Sequence, residues 1–156
     1  MNDLAVRIVH LDPMRVATAY GFGENPEELA WETFMAWARP RGLLDDLDSR
    51  PVFGINNPYP APNHKKYGYE FWVKVGPEVE PEGGIRIEEF FGGSYAVTRC
   101  EVKGNPDRIA ETWRTLAAWC ESNNHQLGRH PALERFLSTP GDLELLVLEL
   151  YCPIGG

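Results

Sequence analysis

The chain has 156 residues, 43% of them hydrophobic, with five tryptophans and a formal charge of −8 at neutral pH. That length fits one core better than two, and the composition excludes wholesale disorder. With Lys65-Lys66 as its only notable basic doublet, the acidic chain is ill suited to a phosphate backbone, so no direct nucleic acid binding is expected.

Cys100, Cys120 and Cys152 are odd in number and lack C-x-x-C spacing, which reads as reduced, buried thiols in a cytoplasmic protein. No basic leader precedes an apolar run and no apolar stretch approaches bilayer length, so a membrane is not an expected partner.

In chain order, Val6 to Val9 and Arg15 to Tyr20 read as strands, expected to form a hairpin about the turn signal Asp12-Pro13. Asn25 is placed to cap a helix that starts at Pro26, where the missing amide hydrogen costs nothing. Ala30, Phe34 and Trp37 recur at i, i+4, i+7, and the Pro40 to Gly42 stretch stops that helix. A short segment, Pro51 to Ile55, and a strand, Tyr67 to Val75, complete the first half.

After the Gly83-Gly84 break the order repeats, with strands Ile85 to Phe91 and Tyr95 to Val102 around Gly92-Gly93. Asn105 and Pro106 open a second helix with an apolar seam of Ile109, Trp113, Leu116 and Cys120, followed by Pro131 to Phe136 and Leu145 to Tyr151.

The strand-like runs Arg15 to Tyr20 and Tyr95 to Cys100 lie about 80 residues apart, each followed by an Asn-Pro pair and a Trp-bearing helix. The Trp pairs are out of step with the Asn-Pro caps, so the repeat is one of architecture and not strict duplication. The expected fold is α+β: two pseudo-symmetric β-β-α-β-β halves, residues 1–80 and 84–156 of a single domain, forming a curved antiparallel sheet with two helices packed on one face. The open face of such a sheet is the natural place for a ligand. In this comparison Glu149 falls opposite Glu70, and Glu134 opposite Gly54.

Glu70 shares a strand face with Trp72, and Glu149 shares one with Tyr151, because strand side chains alternate. That face is either a pocket wall or a solvent face. Tyr20, Tyr67, Tyr69, Tyr95, Phe136 and Tyr151 are further rings suited to flat or cationic ligands. Trp37, Trp113 and Trp119 sit at helical spacing and read as core. The histidines lack metal-site spacing, and no dinucleotide, phosphate-loop or serine-nucleophile motif is present, so neither metal nor cofactor is expected.

Tyr67-Gly68-Tyr69-Glu70-Phe71-Trp72, Gly93-Ser94-Tyr95-Ala96-Val97-Thr98, the Trp113 to Trp119 helix, Leu133-Glu134-Arg135-Phe136 and Glu149-Leu150-Tyr151-Cys152-Pro153-Ile154 together resemble the GyrI-like small-molecule-binding domain over nearly the whole chain. In that family the domain often follows a helix-turn-helix module in drug-responsive transcription activators and also occurs alone; with the first strand beginning almost at Met1, the stand-alone form is the expectation here. The resemblance implies a pocket for bulky, often cationic aromatic compounds with a central acidic residue, matched by Glu134. It also implies, for some stand-alone relatives, hydrolysis of cyclopropane-bearing genotoxins.

The leading expectation is therefore a stand-alone binder of hydrophobic or cationic aromatic small molecules, acting in sensing, sequestration or resistance as a monomer or weak homodimer. The alternative is a hydrolase with Glu134 as its acid or base. A third reading is an acidic protein inhibitor resembling a gyrase-protecting factor.

Overall fold

The computed structural model describes residues 4–155. In chain order its elements are β1 (Arg7–Leu11), β2 (Met14–Gly23), α1 (Pro26–Ala38) with a following 3-10 turn (Arg39–Arg41), β3 (Val52–Asn56), β4 (Tyr67–Lys74), β5 (Ile85–Phe90), β6 (Gly93–Glu101), α2 (Asp107–Ser122), β7 (Leu133–Phe136) and β8 (Val147–Ile154). The registered strand pairs are all antiparallel, giving the expected α+β class with two helices. Among the described residues no helix is long and apolar enough to cross a membrane.

The chain forms two compact units: Met14–Phe90, and the segment up to Pro13 together with the chain from Phe91 onward. In the first, β4 pairs with β3 and β2, and β2 pairs with β5. In the second, β8 pairs with β7 and β6, and β6 pairs with β1. The expected hairpin of β1 with β2 is absent: β1 pairs with β6, and β2 with β5.

The connections explain the exchange. Tight two-residue hairpins need positive φ, which Gly or Asn supplies, whereas Pro13 fixes φ negative and restrains Asp12 before it. The link into β6 carries Gly92 at φ 81°, and a Cβ there would run into the Leu11 carbonyl oxygen. Glycine is thus required twice over, for its dihedral and for the backbone it lies against.

In the Met14–Phe90 unit α1 covers one sheet face with Ala30, Phe34 and Trp37, all buried as their spacing predicts. Phe71 is the centre of that packing, its ring 5.7 Å from Phe34, 5.1 Å from Trp31 and 5.2 Å from Tyr69. Burying such a ring stabilises by roughly 1.5–3 kcal/mol. Ala17 and Ala19, fully buried on β2, leave room for the helix. Asn25 makes no side-chain cap bond, while Asn105 Oδ1 accepts from the Asp107 amide at 3.1 Å, one residue later than the expected Pro106 start.

In the other unit α2 buries Leu116 and Cys120, and Ile109 and Trp113 of the predicted seam are half-buried. All three cysteines are buried thiols, with Cys120 and Cys152 hydrogen-bonded to each other. Burial, and then the Cys120 neighbour, push the Cys152 thiol up to about 12.

Two outcomes follow for the thiols. None of the three should react with a thiol reagent at pH 8 until denaturant unfolds the chain. Because the native Cys152 value lies above the unfolded value of about 8.5, its contribution to stability is intact below that pH and is lost as pH rises toward 12. Denaturant midpoints in wild type and Cys152→Val across that window check the second point, with the variant expected to show the shallower fall.

Candidate functional site

Alternation along β4 sends Tyr69, Phe71 and Val73 toward α1 and Glu70 and Trp72 to the opposite face. Register then fixes their neighbours: Tyr20 and Ile55 flank Glu70, while Thr18 and Phe53 flank Trp72, with Arg86 on β5 beyond Thr18. The face is not a solvent face, since Glu70 is 4% exposed and Trp72 8%.

Glu70 Oε1 accepts from Trp72 Nε1 at 2.8 Å and Oε2 accepts from Asn57 Nδ2 at 3.1 Å. Asn57 is placed there by its amide, which donates to the Gly68 carbonyl at 2.9 Å just past the end of β3. Among the described residues no ion pair reaches Glu70. Beside it Trp72 packs 5.5 Å from Phe90, and the fully buried Thr18 Oγ1 has no hydrogen-bond partner.

Tyr20 is at the edge of this group, 38% exposed, with its hydroxyl donating to the Asn57 carbonyl at 2.8 Å and the Arg86 guanidinium 5.8 Å from its ring centre. The result is a buried carboxylate held only by neutral donors, next to two rings and an unsatisfied hydroxyl. Such an anion is costly without a counter-charge, which an incoming cation would supply.

The matching positions of the other unit are built differently. Glu149 of β8 is also buried, flanked in register by Arg99 and Arg135, and Tyr151 is flanked by Val97 and Leu133, with Arg7 of β1 beyond Val97. Arg7 Nη1 lies 2.8 Å from Glu149 and Arg135 Nη1 lies 3.7 Å away. The Glu149 bond, in turn, raises the Arg7 guanidinium above its usual range. Tyr95 is fully buried, its ring 5.5 Å from Tyr151 and its hydroxyl donating to the Pro131 carbonyl at 2.7 Å. Glu149 thus has its counter-charges built in, and Glu70 does not.

Glu134 is not brought together with Glu149, Tyr151 or Tyr95. It pairs in register with Leu150, on the α2 side of the sheet, where the half-buried carboxylate accepts from Trp113 Nε1 at 3.1 Å. Phe136, opposite Leu148, shares that side. Tyr69 likewise stands on the helix side of its own sheet, apart from Glu70 and Trp72. The contrast of Glu134 with Gly54 has a packing cause: the Tyr69 hydroxyl lies where a Gly54 Cβ would be, and the position matching Tyr69 is Leu148.

Thr18, Asn57 and Arg86, which the strand register and hydrogen bonds place around Glu70 and Trp72, are not among the residues the sequence pointed to. The signal for Thr18 was hidden because the repeat aligned it with Thr98, whereas strand register matches it to Val97. A cavity of about 400 Å³ lies between Trp37, Arg41, Glu82 and Ile85. Its two charges already pair with each other, and Arg41 also stacks 4.8 Å over Trp37, so it offers no uncommitted charge.

The family model described as the GyrI-like small molecule binding domain matches residues 4–154. The chain belongs to the GyrI-like family. No curated protein matches it by sequence. Among solved structures it is similar to EcmrR in a DNA complex (TM-score 0.67, 14% identity), covering 96% of this chain but 57% of that one. It is similar to SAV2435 bound to tetraphenylphosphonium (TM-score 0.58, 12% identity, 98% and 95% covered). A protein from Listeria innocua described as a hydrolase is also similar (TM-score 0.63, 11% identity, 96% and 91% covered). At these identities the likeness is one of fold, and it agrees with a GyrI-like domain spanning both units.

The Gly54 contact is testable. Gly54→Ala should destabilise the protein by about 1–3 kcal/mol through overpacking against Tyr69, and Gly54→Ala with Tyr69→Leu should recover part of that loss. Thermal denaturation of the three variants checks the order.

Proposed function

We propose that this GyrI-like chain binds bulky lipophilic cations and cationic aromatic compounds beside Glu70, in sensing or sequestration. The observation that carries the reading is the buried Glu70 carboxylate, which accepts hydrogen bonds from Asn57 and Trp72 and has no cationic partner among the described residues. Trp72, Phe90 and Tyr20 supply ring faces and edges, each good cation–π contact being worth about 0.5–2 kcal/mol. Buried beside Trp72, Thr18 Oγ1 has no hydrogen-bond partner among the described residues. The fold shared with SAV2435, which was solved with tetraphenylphosphonium, supports a cation as the ligand class.

Calorimetric titration with tetraphenylphosphonium and with a neutral aromatic of similar size tests this. Wild type should prefer the cation, and Glu70→Gln should weaken it at least tenfold, about 1.4 kcal/mol, with little effect on the neutral compound. Glu134→Gln should change cation affinity less than twofold. The thermal midpoint of ligand-free Glu70→Gln should equal or exceed that of wild type, because the substitution removes a buried charge that lacks a counter-ion. Equal cation affinity in wild type and Glu70→Gln would sink the assignment.

A second reading is favoured by the half-buried Glu134 carboxylate under Trp113 Nε1 and by the fold shared with the Listeria innocua hydrolase. Here Glu134 positions or deprotonates water for opening a strained electrophilic ring, a step for which acid–base catalysis supplies roughly 100-fold to 10,000-fold. Turnover of a cyclopropane-bearing alkylator that Glu134→Gln abolishes would establish it. No turnover by wild type would discard it.

A further inference from the structure

Arg86 and Arg7 occupy the same place in their two units. Each sits on the strand beyond the residue that flanks the β4 or β8 aromatic, Arg86 across from Thr18 and Arg7 across from Val97. Arg7 reaches its carboxylate, Glu149, at 2.8 Å. Arg86 instead rests over Tyr20, 5.8 Å from the ring centre, and no ion pair joins it to Glu70.

The difference lies in the residue between. Tyr20 is the direct cross-strand neighbour of Glu70, and its ring is fixed by the 2.8 Å bond from its hydroxyl to the Asn57 carbonyl. At the matching place beside Glu149 stands Arg99, more than half exposed and turned to Glu101 at 3.2 Å. Tyr20 therefore takes up the guanidinium that would otherwise serve as Glu70's counter-charge.

Resting on the reading that a cation binds at Glu70, we propose that Arg86 sets the specificity of the site: it covers the Tyr20 face as an internal cation, and a cationic ligand enters by displacing it. A cation gains both the ring face and the Glu70 charge, while a neutral aromatic gains no charge term and has no reason to expel a stacked guanidinium. Arg86 then acts as a threshold that selects charged ligands by their attraction to Glu70 and keeps the Tyr20 face occupied in their absence.

The test is a titration of tetraphenylphosphonium, and of a neutral aromatic of similar size, into wild type, Arg86→Gln, Tyr20→Leu, the Tyr20→Leu/Arg86→Gln double variant and Glu70→Gln. Arg86→Gln should bind the cation roughly threefold to tenfold more tightly and should tighten the neutral compound by at least as large a factor, so that the preference for the cation narrows. Tyr20→Leu should bind the cation at least tenfold more weakly, because Arg86 is then released to pair with Glu70 as Arg7 pairs with Glu149. Arg86→Gln should rescue that variant by a larger factor than it improves wild type.

An Arg86→Gln variant with unchanged or weaker cation binding overturns the proposal. So does a double variant no tighter than Tyr20→Leu alone. If Glu70→Gln weakens binding while Arg86→Gln matches wild type, only the role of Arg86 fails. If Glu70→Gln binds as wild type does, or no variant binds the cation, the functional reading fails and this inference falls with it.

Discussion

Charge compensation at two buried glutamates is the constraint on which the rest of this molecule turns. A carboxylate removed from water must recover the lost hydration from hydrogen bonds or from a cation, and unpaired burial costs several kcal/mol. Glu149 recovers it from Arg7 and Arg135. Glu70, at the matching place, recovers part of it from Trp72 and Asn57 and none of it from a cation. The two units share strand order and register, so fold requirements common to both do not explain the difference. It comes from three positions: Ile55 for Arg135, Tyr20 for Arg99, and Thr18 for Val97.

Thr18 is the most economical of these exchanges. Threonine and valine have nearly the same shape, and at a fully buried position valine costs nothing while threonine buries a hydroxyl. A hydroxyl left without a partner where an isosteric methyl serves the matched sheet is a local defect in packing terms. An unpartnered buried hydroxyl calls for a partner from outside the chain, a ligand group or a water. Trp72 and Phe90 beside it provide the apolar surface, and Glu70 the charge.

The sequence carried the elements well and the site less well, for a reason that lies in strand geometry. Both helices, the short strands β3 and β7 and the closing strands were legible from periodicity, caps and breakers, and so was the pairing of Glu70 with Trp72 and of Glu149 with Tyr151 on common faces. The pairing partners of β1 and β5 were not, since hairpin formation is a local expectation and Pro13 and Gly92 act through backbone that is distant in sequence. The repeat of like residues on the inner strands is one residue out of step with the strand register. In a helix a one-residue slip moves a side chain by about 100°, but in a strand it moves it to the other face. That slip matched Thr18 with Thr98, concealing the exchange with Val97. The contrast of Glu134 with Gly54 was correctly aligned, yet it proved to be tied to how Tyr69 and Leu148 fill the helix side.

The strand exchange and the charge pattern are one design. β1 and β5 leave the sequence halves in which they would form hairpins, and each carries an arginine, Arg7 or Arg86, to the same register position beside a buried glutamate's row. A local hairpin would have paired β1 with β2 and β5 with β6, setting Arg7 and Arg86 beside different neighbours. With the exchange made, whether the edge arginine reaches its glutamate depends on the intervening side chain, while Arg135 adds a second cation beside Glu149 where Ile55 stands beside Glu70. Where that side chain is Arg99, directed to Glu101, the edge arginine reaches its carboxylate and the site closes on itself. Where it is Tyr20, held by Asn57, the arginine is retained on the ring and the carboxylate stays without a counter-ion. One backbone plan thus yields a glutamate with two arginines against it and a glutamate whose charge is still to be met.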